Sequence, residues 1–332
     1  KNRMPNASYW QQDVHYSIQA VIDDKVESIE GKEKLIYQNN SPDLLQELYF
    51  HLYQNAFTPN SYLHASRQVD KIKSVFGVHE IKGEGTSIHK LSINGKQSKF
   101  DIDNSILRVG LVSPLKPGEK IEIDIHFTTY WDKDDGGNIR RRMKTFRHGG
   151  KEDREFLHFD GVHWYPRISV YDRKFGWTTD QHLGKEFYGD YGIFDVNLDF
   201  PTQYIVEATG FLTNESEAMP SDLREKIDIK NYKTRRDIYT DPIPVDGTRR
   251  VWKFHAEHVH DFAFTADPTY RIGEVVWNGI RCIALAQEEH AHKWQPSAQF
   301  LADVVKTYST DIGMYAYPKI IAADARDGME YP

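Results

Sequence analysis

Apolar and polar residues alternate through much of the first 260 residues, and a period of two marks a strand with one buried face. Val14, Tyr16, Ile18, Ala20 and Ile22 share one parity, and Ile29 to Tyr37 reads as the hairpin partner. Leu48, Phe50 and Leu52 continue the pattern. Ile121, Ile123, Ile125 and Phe127 alternate strictly with Glu122, Asp124 and His126, the clearest strand in the chain. Phe194, Val196, Leu198 and Phe200 form another, ended by Pro201, and Trp252, Phe254 and Ala256 a further one. Asn94-Gly95 predicts a tight hairpin, because both residues tolerate a left-handed backbone, and Pro117-Gly118 predicts a second turn.

The period changes near Asp261. Two more strands, broken at Asn278-Gly279, precede a segment in which Phe300, Val304, Tyr308 and Ile312 recur every four residues. Leu301 and Val305 lie beside them, so the spacing predicts a helix over 296–314. Pro296 suits a first helical position, Pro318 stops the helix, and Lys319 to Ala323 can form a short strand. The pattern divides the chain into an all-β part, residues 1–260, and the opening of a mixed α and β part, 261–332. Residues 132–155, with Arg140-Arg141-Arg142, read as an exposed loop that is either solvated or an anion patch. Residues 213–249 read as a long polar excursion.

Composition narrows the function classes. The 332 residues are 39% apolar and 27% charged, enough for a sizeable core. Mean hydropathy is −0.65, and no apolar run is long enough for a membrane-spanning helix. The net charge of −7 argues against nucleic acid as the main partner. Aromatics reach 13%, which suits strands and their cross-strand pairs. Cys282 is the single cysteine, so neither an intrachain disulfide nor a cysteine-built zinc site can form. Its neighbours Ile280, Ile283 and Leu285 predict a buried strand thiol. The chain opens Lys1-Asn2-Arg3-Met4, which reads as a cleaved export signal or a chosen boundary.

Candidate chemistry is sparse. On a strand His258 and His260 share a face, with no evident third metal ligand, and His255 points away. Glu288 and His292 could meet on a helix, at the start of a solvated segment. His79-Glu80 is followed three residues later by Gly83, so the zinc-peptidase pattern His-Glu-x-x-His fails. No P-loop, nucleophile elbow or dinucleotide fingerprint occurs. Two stretches remain, Phe159-Asp160-Gly161 to Arg167 and Arg326 to Pro332. Each sets glycine beside an acid, which serves close backbone approach to a ligand or simply a turn.

The second half carries a resemblance. Trp164-Tyr165-Pro166-Arg167-Ile168-Ser169-Val170-Tyr171-Asp172 resembles a segment of bacterial zinc aminopeptidases of the aminopeptidase N family. Further blocks follow in that family's order: Gly176-Trp177, His182 to Tyr188, Tyr191-Gly192, Ala208-Thr209-Gly210, Asp261 to Phe264 and Tyr315 to Lys319. Gly328-Met329-Glu330-Tyr331-Pro332 resembles the family's Gly-x-Met-Glu-Asn exopeptidase motif, with Asp327 where glycine is usual.

The resemblance implies a mainly β fold. A large, saddle-like all-β N-terminal domain (1–260) is followed by the first strands and helix of a thermolysin-like α+β catalytic domain (261–332, incomplete). It implies that Glu330 binds the free amine of a peptide substrate, that Gly328 and Met329 lie along the peptide, and that Asp160 adds a second acid to the amine site. The peptide N-terminus is then the partner. The zinc ligands of the full-length parent lie downstream of the motif, so this chain is expected to hold no zinc, no catalytic residue and no activity of its own. An exported parent is the favoured compartment. The alternative is a non-catalytic binding scaffold of the same architecture. A stand-alone carbohydrate-binding β-module is a third reading, which requires exposed tryptophans; Trp164, Trp177 and Trp252 lie in strand-like stretches instead.

Overall fold

The computed structural model describes residues 9–133, 143–149, 155–184, 187–235 and 246–325. The chain is mainly β with some helix, and it divides into two compact units. The first comprises Lys1–Met143, Val162–Val196 and Ala256–Phe262; the second comprises Lys144–Gly161, Asn197–His255 and Ala263–Pro332.

In the first unit the alternating segments pair as expected. Asp13–Asp23 runs antiparallel to Ser28–Gln38, which pairs with Lys120–Tyr130, and Thr86–Ile93 follows. Val14, Tyr16, Ile18, Ile22, Ile123, Ile125 and Phe127 are all buried, as one parity of each strand requires. Asn94 and Gly95 have φ of 47° and 74°, so the predicted hairpin turn forms. Leu45–His51 lies between Ile106–Leu115 and the short strand Arg167–Ile168 in another sheet. The backbone N–H of Ile168 donates to the buried Tyr16 hydroxyl at 3.0 Å, tying the two sheets together.

Gly31 faces Phe127 across the ladder, and a Cβ at Gly31 would lie 2.1 Å from that ring. Gly31→Ala is therefore expected to lower stability by about 1–3 kcal/mol through overpacking, read as a shifted urea midpoint. An unchanged midpoint would show that the ring moves aside freely.

Two sheets of the second unit concern the site. Glu155–Gly161 pairs with Lys144–Gly149 on one side and with Phe264–Asp267 on the other, and Ile205–Ala208 follows. Tyr270–Trp277 and Ile280–Gln287 form a hairpin whose Asn278 and Gly279 have φ of 48° and 80°. Lys319–Ala323 adds a parallel strand to it. Cys282 is buried in this sheet.

The predicted helix forms over Ser297–Asp311, but its inward face differs from the recurring large residues. Ala298, Ala302 and Val305 are buried, whereas Phe300, Tyr308 and Ile312 are exposed. Ala302 and Val305 pack with Ile280 and Cys282, since small side chains let the helix approach the sheet. The polar excursion carries short helices at Glu215–Ala218 and Ser221–Lys226, anchored by buried Leu223, Ile227 and Ile229.

Candidate functional site

The strand Glu155–Gly161 explains itself by parity. Leu157 and Phe159 point to one side, where Phe159 meets Tyr204 and Phe200 at ring distances of 5.6 and 6.3 Å. His158 and Asp160 take the other side. Phe146 stands opposite His158, which puts His148 on the same face of its strand. Thr265 stands opposite Asp160 and brings Asp267 to that face as well. Two strand pairings thus gather two histidines and two aspartates far apart in sequence.

The gathered groups form one hydrogen-bonded chain. His158 Nε2 lies 3.1 Å from Asp160 Oδ2, and its Nδ1 lies 3.1 Å from Asp267 Oδ2. Asp267 Oδ2 also meets His148 Nε2 at 2.7 Å and accepts from Gln287 Nε2 at 3.2 Å. Its Oδ1 accepts from the Thr269 backbone N–H and hydroxyl, both at 2.7 Å. His148, His158, Asp267, Thr269 and Gln287 are buried, whereas the Asp160 side chain retains 18% exposure.

Burial opposes charge on His158, but Asp160 and then Asp267 overcome it and push its pKa up to about 10. The side chain is therefore an imidazolium that donates to both carboxylates near neutral pH. Burial likewise opposes ionisation of Asp267, and the bonds from His148 and His158 nonetheless hold its carboxyl well below the usual range. An ionised Asp267 only accepts, so His148 donates from Nε2. The outcome is a carboxylate at position 160 held in place by a buried cation.

Asp160-Gly161 is not a turn. Gly161 continues the strand, and a Cβ there would lie 2.2 Å from the Phe264 ring, so the glycine serves packing. The rest of that stretch is structural in the first unit. Trp164 is buried and donates from Nε1 to Phe262 O at 3.0 Å. Asp261 accepts from the Tyr165 hydroxyl at 2.8 Å and pairs with His163 at 3.0 Å and Arg167 at 3.7 Å. Much of the sequence motif around Trp164 is therefore a folding device.

The strand Lys319–Ala323 leads the chain toward the Asp160 face. The Asp324 N–H donates to Leu285 O at 2.8 Å, and its Oδ2 meets His290 Nδ1 at 2.6 Å. Tyr270 hydroxyl lies 2.7 Å from Thr265 Oγ1 and 3.4 Å from Asp324 O, and its ring is 5.7 Å from that of His158. Gly328, Met329 and Glu330 lie outside the described residues, as does Arg140-Arg141-Arg142.

The other sequence candidates do other work. Glu288 is buried and pairs with Arg271, not His292, so that segment is not a solvated helix start. Trp164 and Trp252 are buried, and Trp177 is half-buried. Among the described residues no group of three or more His, Cys, Asp or Glu side chains could hold a metal ion. These residues do not fit a zinc site. No helix among them is long and apolar enough to cross a membrane.

No protein-family model matches the sequence, and no curated protein does. Solved structures do. An M1 zinc metallopeptidase from Deinococcus radiodurans matches 95% of this chain with 57% of its own, at a TM-score of 0.53 and 14% identity. A mutant of the Deinococcus radiodurans enzyme bound to a Tyr-Ser-Ala substrate matches 94% of this chain with 56% of its own, at 0.52 and 14% identity. A two-domain M1 zinc metallopeptidase mutant bound to L-tryptophan matches 96% with 58%, also at 0.52 and 14% identity. The chain therefore spans just over half the length of these structures. Likeness at this identity establishes what the chain shares with them as a fold: a β-rich region followed in sequence by an α+β region, similar in topology to the M1 metallopeptidases.

Proposed function

We propose that this chain is the amino-terminal, substrate-recognising portion of a zinc aminopeptidase, with a saddle-like β-domain over residues 1–260 and the start of a thermolysin-like domain over 261–332. The observation that carries the reading is Asp160, a carboxylate oriented by a buried imidazolium in the unit that also receives the strand before Gly328-Met329-Glu330. Glu330 is six residues beyond Asp324, within about 20 Å of it by chain length alone. Two carboxylates there would bind a peptide's free ammonium by charge-assisted hydrogen bonds. A peptide with a blocked amine would leave them unpaired, which confines cleavage to the chain end. The fold likeness and the order of the sequence motifs support the reading. The exposed Phe300, Tyr308 and Ile312 fit burial by further catalytic-domain chain.

The test compares this chain with the longer gene product on an amino-acyl anilide with zinc. Activity with stoichiometric zinc is expected only in the longer protein. Asp160→Asn there should raise KM about 10- to 100-fold, the weight of one hydrogen bond to a charged group. Activity of the 332-residue chain alone would overturn the reading. A longer gene product without His-Glu-x-x-His would favour the scaffold alternative.

A further inference from the structure

The first unit contains a cleft of about 640 Å³ that the amine site does not use. Its walls include Tyr53, Phe175, Trp177 and Tyr188, with Asp172 and Asp180 among them. Phe175 and Tyr188 are 60% and 52% exposed, so their rings are open to a ligand. Volume and aromatic lining are those of a small-molecule site.

The polar groups of the cleft decide the ligand class. Asp172 Oδ1 accepts from the backbone N–H groups of Lys174 and Phe175 at 2.9 and 2.7 Å, and Oδ2 accepts from Tyr188 hydroxyl at 2.8 Å. Gln181 is equally occupied. Its Oε1 accepts from the Ser105 N–H and hydroxyl, and its Nε2 donates to Asp103 O. Sugars are held by several planar side chains with free donors and acceptors, and of the carboxylates and amide in this cleft only Asp180 is left unengaged. A primary ammonium needs three acceptors and meets the same obstacle.

Charge and rings remain. Asp172 and Asp180 outnumber Lys174, and His51 adds no positive charge, because burial and then Arg167 lower its pKa to about 3. Lys174 Nζ already sits 4.4 Å from the Phe175 ring centroid, so this wall attracts a cation. We propose that the cleft binds a quaternary ammonium group, a diffuse cation that needs aromatic faces and negative charge but no hydrogen-bond acceptor.

The probe is choline chloride, added to the 332-residue protein and followed by the indole N–H resonance of Trp177. Choline is expected to shift that resonance saturably, and its uncharged isostere 3,3-dimethyl-1-butanol to bind at least tenfold more weakly. Lys174→Met removes the competing cation and should tighten choline binding several-fold. Asp180→Asn should weaken it, and this side chain is exposed, so the fold is preserved. Equal binding of the alcohol would make the cleft merely apolar. Displacement of choline by methyl glucoside would make it a sugar site. Either result, or no shift of Trp177 with choline, overturns the proposal.

Discussion

Replacing Asp267 with alanine is expected to lower the stability of the second unit by about 3–5 kcal/mol, the cost of breaking a buried charge pair from one side. Asp267 gathers Thr269, His148, His158 and Gln287 around one buried carboxylate. Without it the His158 imidazolium keeps only Asp160, and the other donors lose their acceptor in a dry site. A domain's total stability is about 5–15 kcal/mol, so the loss would be visible as a large fall in urea midpoint.

The effect also carries a pH signature. The His158 pKa is raised from 6.5 to about 10, so its contribution is full below about 6.5 and is lost as pH rises through 10. The Asp267 pKa is depressed, so its contribution is present above about 3.9 and is lost as pH falls below that. The two describe one shared pair and count once. The gap between wild type and Asp267→Ala should be widest between about pH 4 and 6.5 and narrow toward pH 10. A gap below about 1 kcal/mol at pH 6, or one that stays constant to pH 10, would sink the account.

The sequence made much of this scaffold legible. Strict alternation exposed the strand at Ile121 to Phe127, and asparagine-glycine pairs located two hairpins, because both features act locally. The helix over Ser297–Asp311 was legible in extent but not in facing. Periodicity weighted its large residues, whereas contact with the sheet selected Ala298 and Ala302. Asp160 could be named, but its supports could not. Asp267 meets His158, and His148 and Gln287 meet Asp267, only in the folded chain, over separations of 20 to 119 residues. One signal was present: His158 and Asp160 alternate with Leu157 and Phe159, the mark of a strand with a charged face. The same limit applies to Glu288, whose partner Arg271 belongs to the neighbouring strand.

In the first unit, Asp190→Asn is expected to change the slope of stability against pH. The Asp190 carboxyl is buried, and Oδ2 has no hydrogen-bond partner. Burial pushes its pKa up to about 7; Arg167 pulls it down and Asp172 raises it further. The native state therefore holds a proton that the unfolded chain releases near pH 4. Its stabilising share is full below that pH and is lost as pH climbs through 7, about 4 kcal/mol over some three units. His51 works in the opposite direction. Its pKa is depressed to about 3, so its share is present above about 6.5 and is lost as pH falls. The two slopes offset each other between about pH 4 and 6.5, and the wild-type curve hides both. Asparagine at position 190 keeps an acceptor oxygen but cannot ionise, so only the rising slope survives. The variant's stability minus that of wild type should grow by about 4 kcal/mol from pH 4 to 8, measured by urea unfolding followed through tryptophan fluorescence. Groups common to both proteins cancel in that difference. Parallel curves would mean that Asp190 is already ionised and solvated at pH 5.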